Sequence, residues 1–252
     1  MSRFFSSFSL SGLLVAAALL LPSCQTSQPQ DMDTPAIPEL TRYEKFISDG
    51  HYPNIMDIYL DDELLATANK KCPIYICLSQ QRGRLYVGNQ VAADWPVSTG
   101  IPGRDTPTGK FRVTQKKEQY ASNRYGKMYD AEGKCICSDA DAFTMPVPEG
   151  GKFVGSPMPN WQRLTSDGVG MHTGKVRAGQ RLSHGCIRTP HRMAVKLFAI
   201  TEVGTRVTIC DKPEALYPTH DALKRRIFEN KMLHTSNKSQ GALYEAYKAT
   251  RS

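Results

Sequence analysis

Cys186 stands in Ser183-His184-Gly185-Cys186-Ile187-Arg188, and a second histidine lies 14 residues upstream in Gly168-Val169-Gly170-Met171-His172-Thr173-Gly174. A thiol is a useful nucleophile at neutral pH only where a base or a positive environment holds it as thiolate, and imidazole is the usual partner. On residue type alone, His172 and His184 qualify equally. The glycines remove Cβ atoms, so backbone can approach a bound carbonyl and turn N–H groups toward a developing oxyanion. The chemistry implied is acyl transfer through Cys186. Zinc is the competing reading, since His172, His184, Cys186 and His191 suffice in number, but their spacing matches no zinc pattern and no metal is expected. Ser183, beside a better nucleophile, is expected to bond local backbone or His184. Arg188 could either bind a carboxylate through paired hydrogen bonds or lock the loop by bonding its carbonyls. Tyr125, Met158 and Trp161 are candidates to line a substrate groove, against the plainer reading of core packing.

The elements that must position these residues are mostly strands. Ile74–Ser79 is β-branched and apolar, residues 80–83 supply a turn, and Arg84–Val87 returns as the second arm of a hairpin. Residues 90–97 read as a third strand and Phe111–Thr114 as a fourth, after the turn-rich 103–109. Residues 115–165, rich in Gly, Pro, Ser and Tyr, read as irregular, the kind of long segment that usually serves as a lid or binding wall. After the cysteine, Thr189 can cap a helix opening at Pro190, with Met193, Leu197 and Ile200 or Thr201 at helical spacing and a stop at Gly204. Arg206–Cys210 reads as a closing strand, and the tail from 211 to 252 as charged, with helices near 220–233 and 241–249.

Residues 1–23 carry Arg3, an apolar run from Leu10 to Leu21, then Pro22-Ser23, the layout of an export signal too short to span a membrane comfortably. Leu21-Pro22-Ser23-Cys24 resembles a bacterial lipobox, which would make Cys24 the acylated N-terminus; the alternative is an ordinary cleaved signal. Either way the mature chain is exported, and Gln25 after the cysteine, by resemblance to Gram-negative lipoproteins, favours the periplasmic face of the outer membrane. Residues 24–72 then form a tether and an N-terminal accessory segment, polar and proline-containing at the start. The formal charge of +8 falls to +7 without the signal, because Arg3 is its one charged side chain. A basic exported chain with no nucleic-acid motif points to anionic wall polymer or lipid headgroups, or simply to solubilising charge. Of seven cysteines, Cys72, Cys77, Cys135, Cys137 and Cys210 are read as structural thiols, their pairing open.

Thr106-Pro107-Thr108-Gly109 ahead of a strand, Gly170-Met171-His172, the block from Ser183 to Arg188 and Gly204-Thr205-Arg206-Val207 occur in the order that marks a known family. Over about residues 73–210 the chain resembles the L,D-transpeptidase catalytic domain. Within it the chain is similar to a subgroup whose long insertion carries Ser122-Asn-Arg-Tyr-Gly126, Met158-Pro159 and Arg163-Leu164-Thr165. The spacing from His172 to Cys186 is shorter than in many members.

The resemblance implies a mainly β (α+β), β-sandwich-like fold with a helix after the cysteine motif, and no cofactor. It implies that Cys186 attacks the carbonyl joining the L-centre of meso-diaminopimelate to a terminal D-alanine in peptidoglycan stem peptides. D-Alanine leaves, and an amine of a second stem resolves the thioester into a diaminopimelate–diaminopimelate (3–3) cross-link. It assigns the base to His172, the orienting carbonyl to Thr173, the oxyanion donors to the amides of Gly185 and Cys186, and site ordering to His184. Carbapenems should acylate Cys186 as well. Hydrolysis by water (an L,D-carboxypeptidase), D-amino acid exchange and attachment of a protein to the wall would share the thioester. A catalytically silent wall-binding module is the alternative of another class, and the presence of Cys186 and both histidines argues against it.

Overall fold

The fold is that of a computed structural model, which describes residues 40–69 and 71–212 together with Phe228 and Met232. The export signal, Cys24, the first part of the tether and, those two residues apart, the tail beyond Lys212 lie outside the described residues. In chain order the elements are α1 (Arg42–Ile47), β1 (Tyr59–Leu60), α2 (Asp62–Thr67), β2 (Ile74–Cys77), β3 (Arg82–Val87), β4 (Gln90–Pro96), β5 (Gly109–Arg112), β6 (Gln115–Lys117), β7 (Ala121–Tyr129), β8 (Cys135–Asp141), β9 (Lys152–Pro157), β10 (Trp161–Arg163), β11 (Gly170–Thr173), β12 (Ile187–Thr189), α3 (His191–Ile200) and β13 (Arg206–Cys210). They are mainly β, in three sheets ordered β1-β4-β3-β2-β13-β5, β12-β11-β10-β6 and β8-β7-β9.

Period-two alternation builds the first sheet. Ile74, Ile76, Leu85, Ala93, Trp95, Val207 and Ile209 all point to one face and are fully buried. That face shares a core with Met171 of β11, Ile187 of β12 and Met193 and Leu197 of α3. Each such aliphatic side chain contributes about 1.5–3 kcal/mol on leaving water. Most strand pairs are antiparallel; β2 with β13 and β11 with β12 are parallel. Helix α3 buries Met193, Ala194 and Leu197, but its N-cap is Pro190, without a side-chain cap bond. Thr189 does not cap it: that residue belongs to β12, and its buried hydroxyl finds no partner among the described residues. The helix ends at Thr201, whose amide bonds Leu197 O, rather than at Gly204.

The opposite face of the first sheet is charged, which the apolar pattern does not reveal. Arg82 and Arg84 of β3 and Asp94 of β4 are buried together, with Arg82 Nε 2.7 Å from Asp94 Oδ1 and Arg84 Nε 2.8 Å from Oδ2. Tyr43 and Tyr52 donate their hydroxyls to the same carboxylate at 2.7 and 2.8 Å. Arg82 also donates to Ile55 O and Asp57 O, at 2.8 and 3.1 Å. Burial alone would raise the Asp94 pKa, but the two guanidinium groups outweigh it and hold the carboxyl below its usual range. Residues 43–59 are thereby fastened over the sheet, with Phe46 and Tyr59 packed beside Tyr43.

Residues 115–165 are not irregular. They contain β6 to β10, including the whole three-stranded sheet. Within β7, β8 and β9 only Gly126, Met128 and Ala140 are buried, so there was little apolar alternation to read. All six described cysteines are free thiols: Cys72, Cys77 and Cys210 are buried, Cys135 is exposed, and Cys137 and Cys186 are partly so.

Candidate active site

Strands β11 and β12 run side by side in parallel, pairing Met171 with Ile187, His172 with Arg188 and Thr173 with Thr189. Met171 and Ile187 are buried in the core. Alternation therefore turns His172 and Arg188 to the other face, where both line a cleft of about 690 Å³ together with Cys186 and His184. Cys186 sits one residue ahead of β12, beside the start of β11. Its sulfur lies 3.7 Å from Gly168 O and meets the Gly170 N–H.

The loop that presents the cysteine is tied at almost every backbone group. Ser183 Oγ accepts the Gly185 N–H at 3.1 Å and donates to Cys186 O at 2.5 Å. Thr106 Oγ1 donates to Gly185 O at 2.7 Å and accepts the Gly100 N–H at 2.9 Å. Gly185 has φ +112°, a left-handed conformation that a Cβ would strain. Ser183 is buried, and its hydroxyl is committed to the loop. The Gly185 amide is likewise taken by Ser183 Oγ and is not open to an oxyanion. Among the described residues, the loop amides without a partner are those of His184 and Cys186.

His172 Nδ1 lies 2.8 Å from Thr173 O, so Nδ1 carries the proton and donates it, leaving the Nε2 lone pair unprotonated. Burial brings the His172 pKa down to about 4, against a smaller opposing effect of the Thr173 carbonyl. Burial pushes the Cys186 thiol up, although the Gly170 N–H and Arg188 act the other way. The resting pair is therefore neutral thiol and neutral imidazole, not the thiolate that residue types alone suggest.

A match to the family model of the L,D-transpeptidase catalytic domain extends over residues 73–209. The chain belongs to this family. It is 30% identical over 143 residues to a curated Bacillus subtilis (strain 168) protein, YqjB, whose name assigns it to the L,D-transpeptidases; the match covers 54% of this chain and 71% of that one. Among solved structures it is similar to an L,D-transpeptidase from Mycobacterium smegmatis, at 19% identity and TM-score 0.43, covering 56% of this chain and 58% of that one. Against L,D-transpeptidase 1 of Mycobacterium tuberculosis the values are 21% and 0.39, with 55% and 60% covered. The chain thus spans less than two thirds of either solved structure.

In this L,D-transpeptidase domain the two histidines have separate surroundings. His184 lies edge-on to Tyr125 at 4.5 Å between ring centroids, with Nε2 3.4 Å from Asp139 Oδ1. These contacts are to β7 and β8, the sheet that walls the cleft. Burial lowers its pKa, and the opposing effect of Asp139 is countered by Arg104 and Arg188. Arg104 and Arg124 lie over the Tyr125 ring at 5.3 and 4.9 Å, and Arg124 holds Asp141 through two nitrogens.

Arg188 is half-buried, and its guanidinium has no hydrogen-bond or ion-pair partner among the described residues, so it locks no loop carbonyl. Gly174 makes room for it, since a Cβ there would stand 2.8 Å from Arg188 Cγ. Met158 and Tyr125 line the cleft. Trp161 does not: it is fully buried, stacked on Tyr120 at 4.9 Å and 6.1 Å from the His172 ring, where it packs behind the imidazole. His191 is exposed at the start of α3, outside the cleft lining. The residue that sequence reasoning missed is Thr106. Its motif was visible, but its bond to Gly185 crosses 79 positions and has no local signal.

Proposed function

We propose that this enzyme forms 3–3 cross-links in peptidoglycan through a thioester on Cys186. The observation that carries the reading is the placement of His172 and Arg188 on one face of the parallel pair β11–β12, with Cys186 just ahead of β12 in the same cleft. His172 Nε2 takes the Sγ–H proton as sulfur attacks the diaminopimelate carbonyl, so charge develops on the substrate oxygen rather than resting on a thiolate. The untied amides of Cys186 and His184 are the donors available to that oxygen. The C–N bond to D-alanine then breaks, and the protonated His172 returns its proton to the leaving nitrogen. An amine of a second stem attacks the thioester, gives its proton to His172, and the sulfur leaves and is reprotonated.

Arg188 is the anchor for a stem carboxylate, because a half-buried guanidinium with no partner among the described residues is suited to an anionic one. Arg188→Ala should lower kcat/KM for a tetrapeptide by about tenfold or more, mainly through KM. Arg188→Lys should recover only part of it. Steady-state kinetics on both variants check this.

The depressed His172 pKa sets the acid limb. Protonation removes the lone pair the thiol needs, so activity is lost as pH falls through about 4 and is retained near pH 6, where an ordinary imidazole is largely protonated. The acylation rate measured from pH 3.5 to 8 tests this; a limb centred near 6.5 would contradict it.

Residues 1–23 are proposed as the export signal, Cys24 as the lipid-bearing N-terminus and residues 24–39 as the start of the tether, placing residues 73–210 in the periplasm as the catalytic domain. The product assay is incubation with purified disaccharide-tetrapeptides followed by mass spectrometry. Dimers lighter by one D-alanine and linked between diaminopimelates support the reading. Tripeptides alone point to a carboxypeptidase, and unchanged substrate points to protein attachment or a silent module.

A further inference from the structure

We infer that Thr106 is a positioning residue for the oxyanion donor of this active site. The inference rests on the proposed thioester mechanism and concerns a residue 79 positions from its partner in the loop. Thr106 is buried between β4 and β5, and both of its hydrogen bonds go to groups whose roles are fixed. The Gly100 N–H can only donate, so it occupies a lone pair of Oγ1 at 2.9 Å. The hydroxyl proton is then directed to Gly185 O, which can only accept, at 2.7 Å.

Gly185 C=O and Cys186 N–H belong to one planar trans peptide, so they point in opposite directions. Holding the carbonyl toward Thr106 therefore turns the Cys186 N–H to the side away from Thr106. The neighbouring Gly185 amide cannot take over that task, because it is bonded to Ser183 Oγ. Of the two untied amides of the loop, those of His184 and Cys186, only the latter shares a peptide with the carbonyl that Thr106 holds. Gly185, in its left-handed conformation, is also the residue about which this peptide can turn if its carbonyl is released. Segment 99–106 reinforces the arrangement, since Thr99 O accepts the amides of Leu182 and Ser183, and Ser183 O accepts the Ile101 N–H.

Removing the Thr106 hydroxyl should therefore harm steps that build an oxyanion and spare steps that do not. The test compares two reactions of the same sulfur in the full chain: acylation by a carbapenem, which passes through a tetrahedral oxyanion, and alkylation by iodoacetamide, a displacement that forms none. Thr106→Val, close in shape, is expected to slow acylation about 100-fold, the effect of losing one oxyanion donor. Iodoacetamide alkylation of Cys186 and the thermal midpoint should stay near wild type, and Thr106→Ser should restore acylation. Thr106→Ala is the paired variant should valine fail to fold. Unchanged acylation, or alkylation and acylation falling in the same proportion, would overturn the inference. A wild-type protein that takes no adduct on Cys186 would instead overturn the thioester mechanism itself, and this inference with it.

Discussion

His172→Gln is expected to slow thioester formation on Cys186 by about 10²–10⁴-fold, the range for loss of a positioned general base. Both members of the resting pair are neutral, so the proton must leave sulfur during attack, and His172, in the same cleft with its other nitrogen fixed on Thr173 O, is the base proposed to receive it. Glutamine keeps polarity and approximate volume in front of Trp161 but offers no base, which separates chemistry from packing. His184→Gln serves as the internal comparison. Its ring is engaged with Tyr125 and Asp139, so its loss should disturb the cleft wall and cost much less in acylation. Stopped-flow measurement of carbapenem ring opening compares the two directly, and a larger loss in His184→Gln would reverse the assignment.

Asp94→Ala should cost about 3–5 kcal/mol of stability, the range for breaking a buried ion pair by removing one partner. The substitution leaves Arg82 and Arg84 buried in the sheet with their shared counter-charge gone, and it strips Tyr43 and Tyr52 of their acceptor. A thermal midpoint lower by roughly 6–20 °C follows from that range. Because this cluster lies on the face of the sheet away from the core shared with β11 and β12, protein that remains folded should keep its acylation rate. Calorimetry and acylation kinetics on the same sample test both halves, and a midpoint within a degree or two of wild type would contradict the account.

Legibility followed how local each signal was. Cys186, the two histidines and Arg188 lie within 17 positions, and the apolar strands around them are long enough to show alternation. Four things were hidden. Residues 115–165 fold into strands that bury little, although Asp130 to Gly133, where Gly133 N–H donates to Asp130 O in the β7–β8 turn, is a hairpin signal that composition alone obscured. The burial of Arg82, Arg84 and Asp94 has no local signal, because residues 43–59, which cover them, lie far away in sequence. His172 and His184 are equivalent in sequence; what separates them is burial and a carbonyl for one, an aromatic edge and a carboxylate for the other. The expected oxyanion pair was half displaced for a similar reason, since Ser183 claims the Gly185 amide.

A thioester on Cys186 is revealed by intact mass and peptide mapping after incubation with a carbapenem, beside the Cys186→Ala protein. One adduct per chain is expected, mapping to the peptide that contains Cys186 and absent from the alanine variant. An adduct that survives Cys186→Ala, or a wild-type protein that remains unmodified, would contradict it.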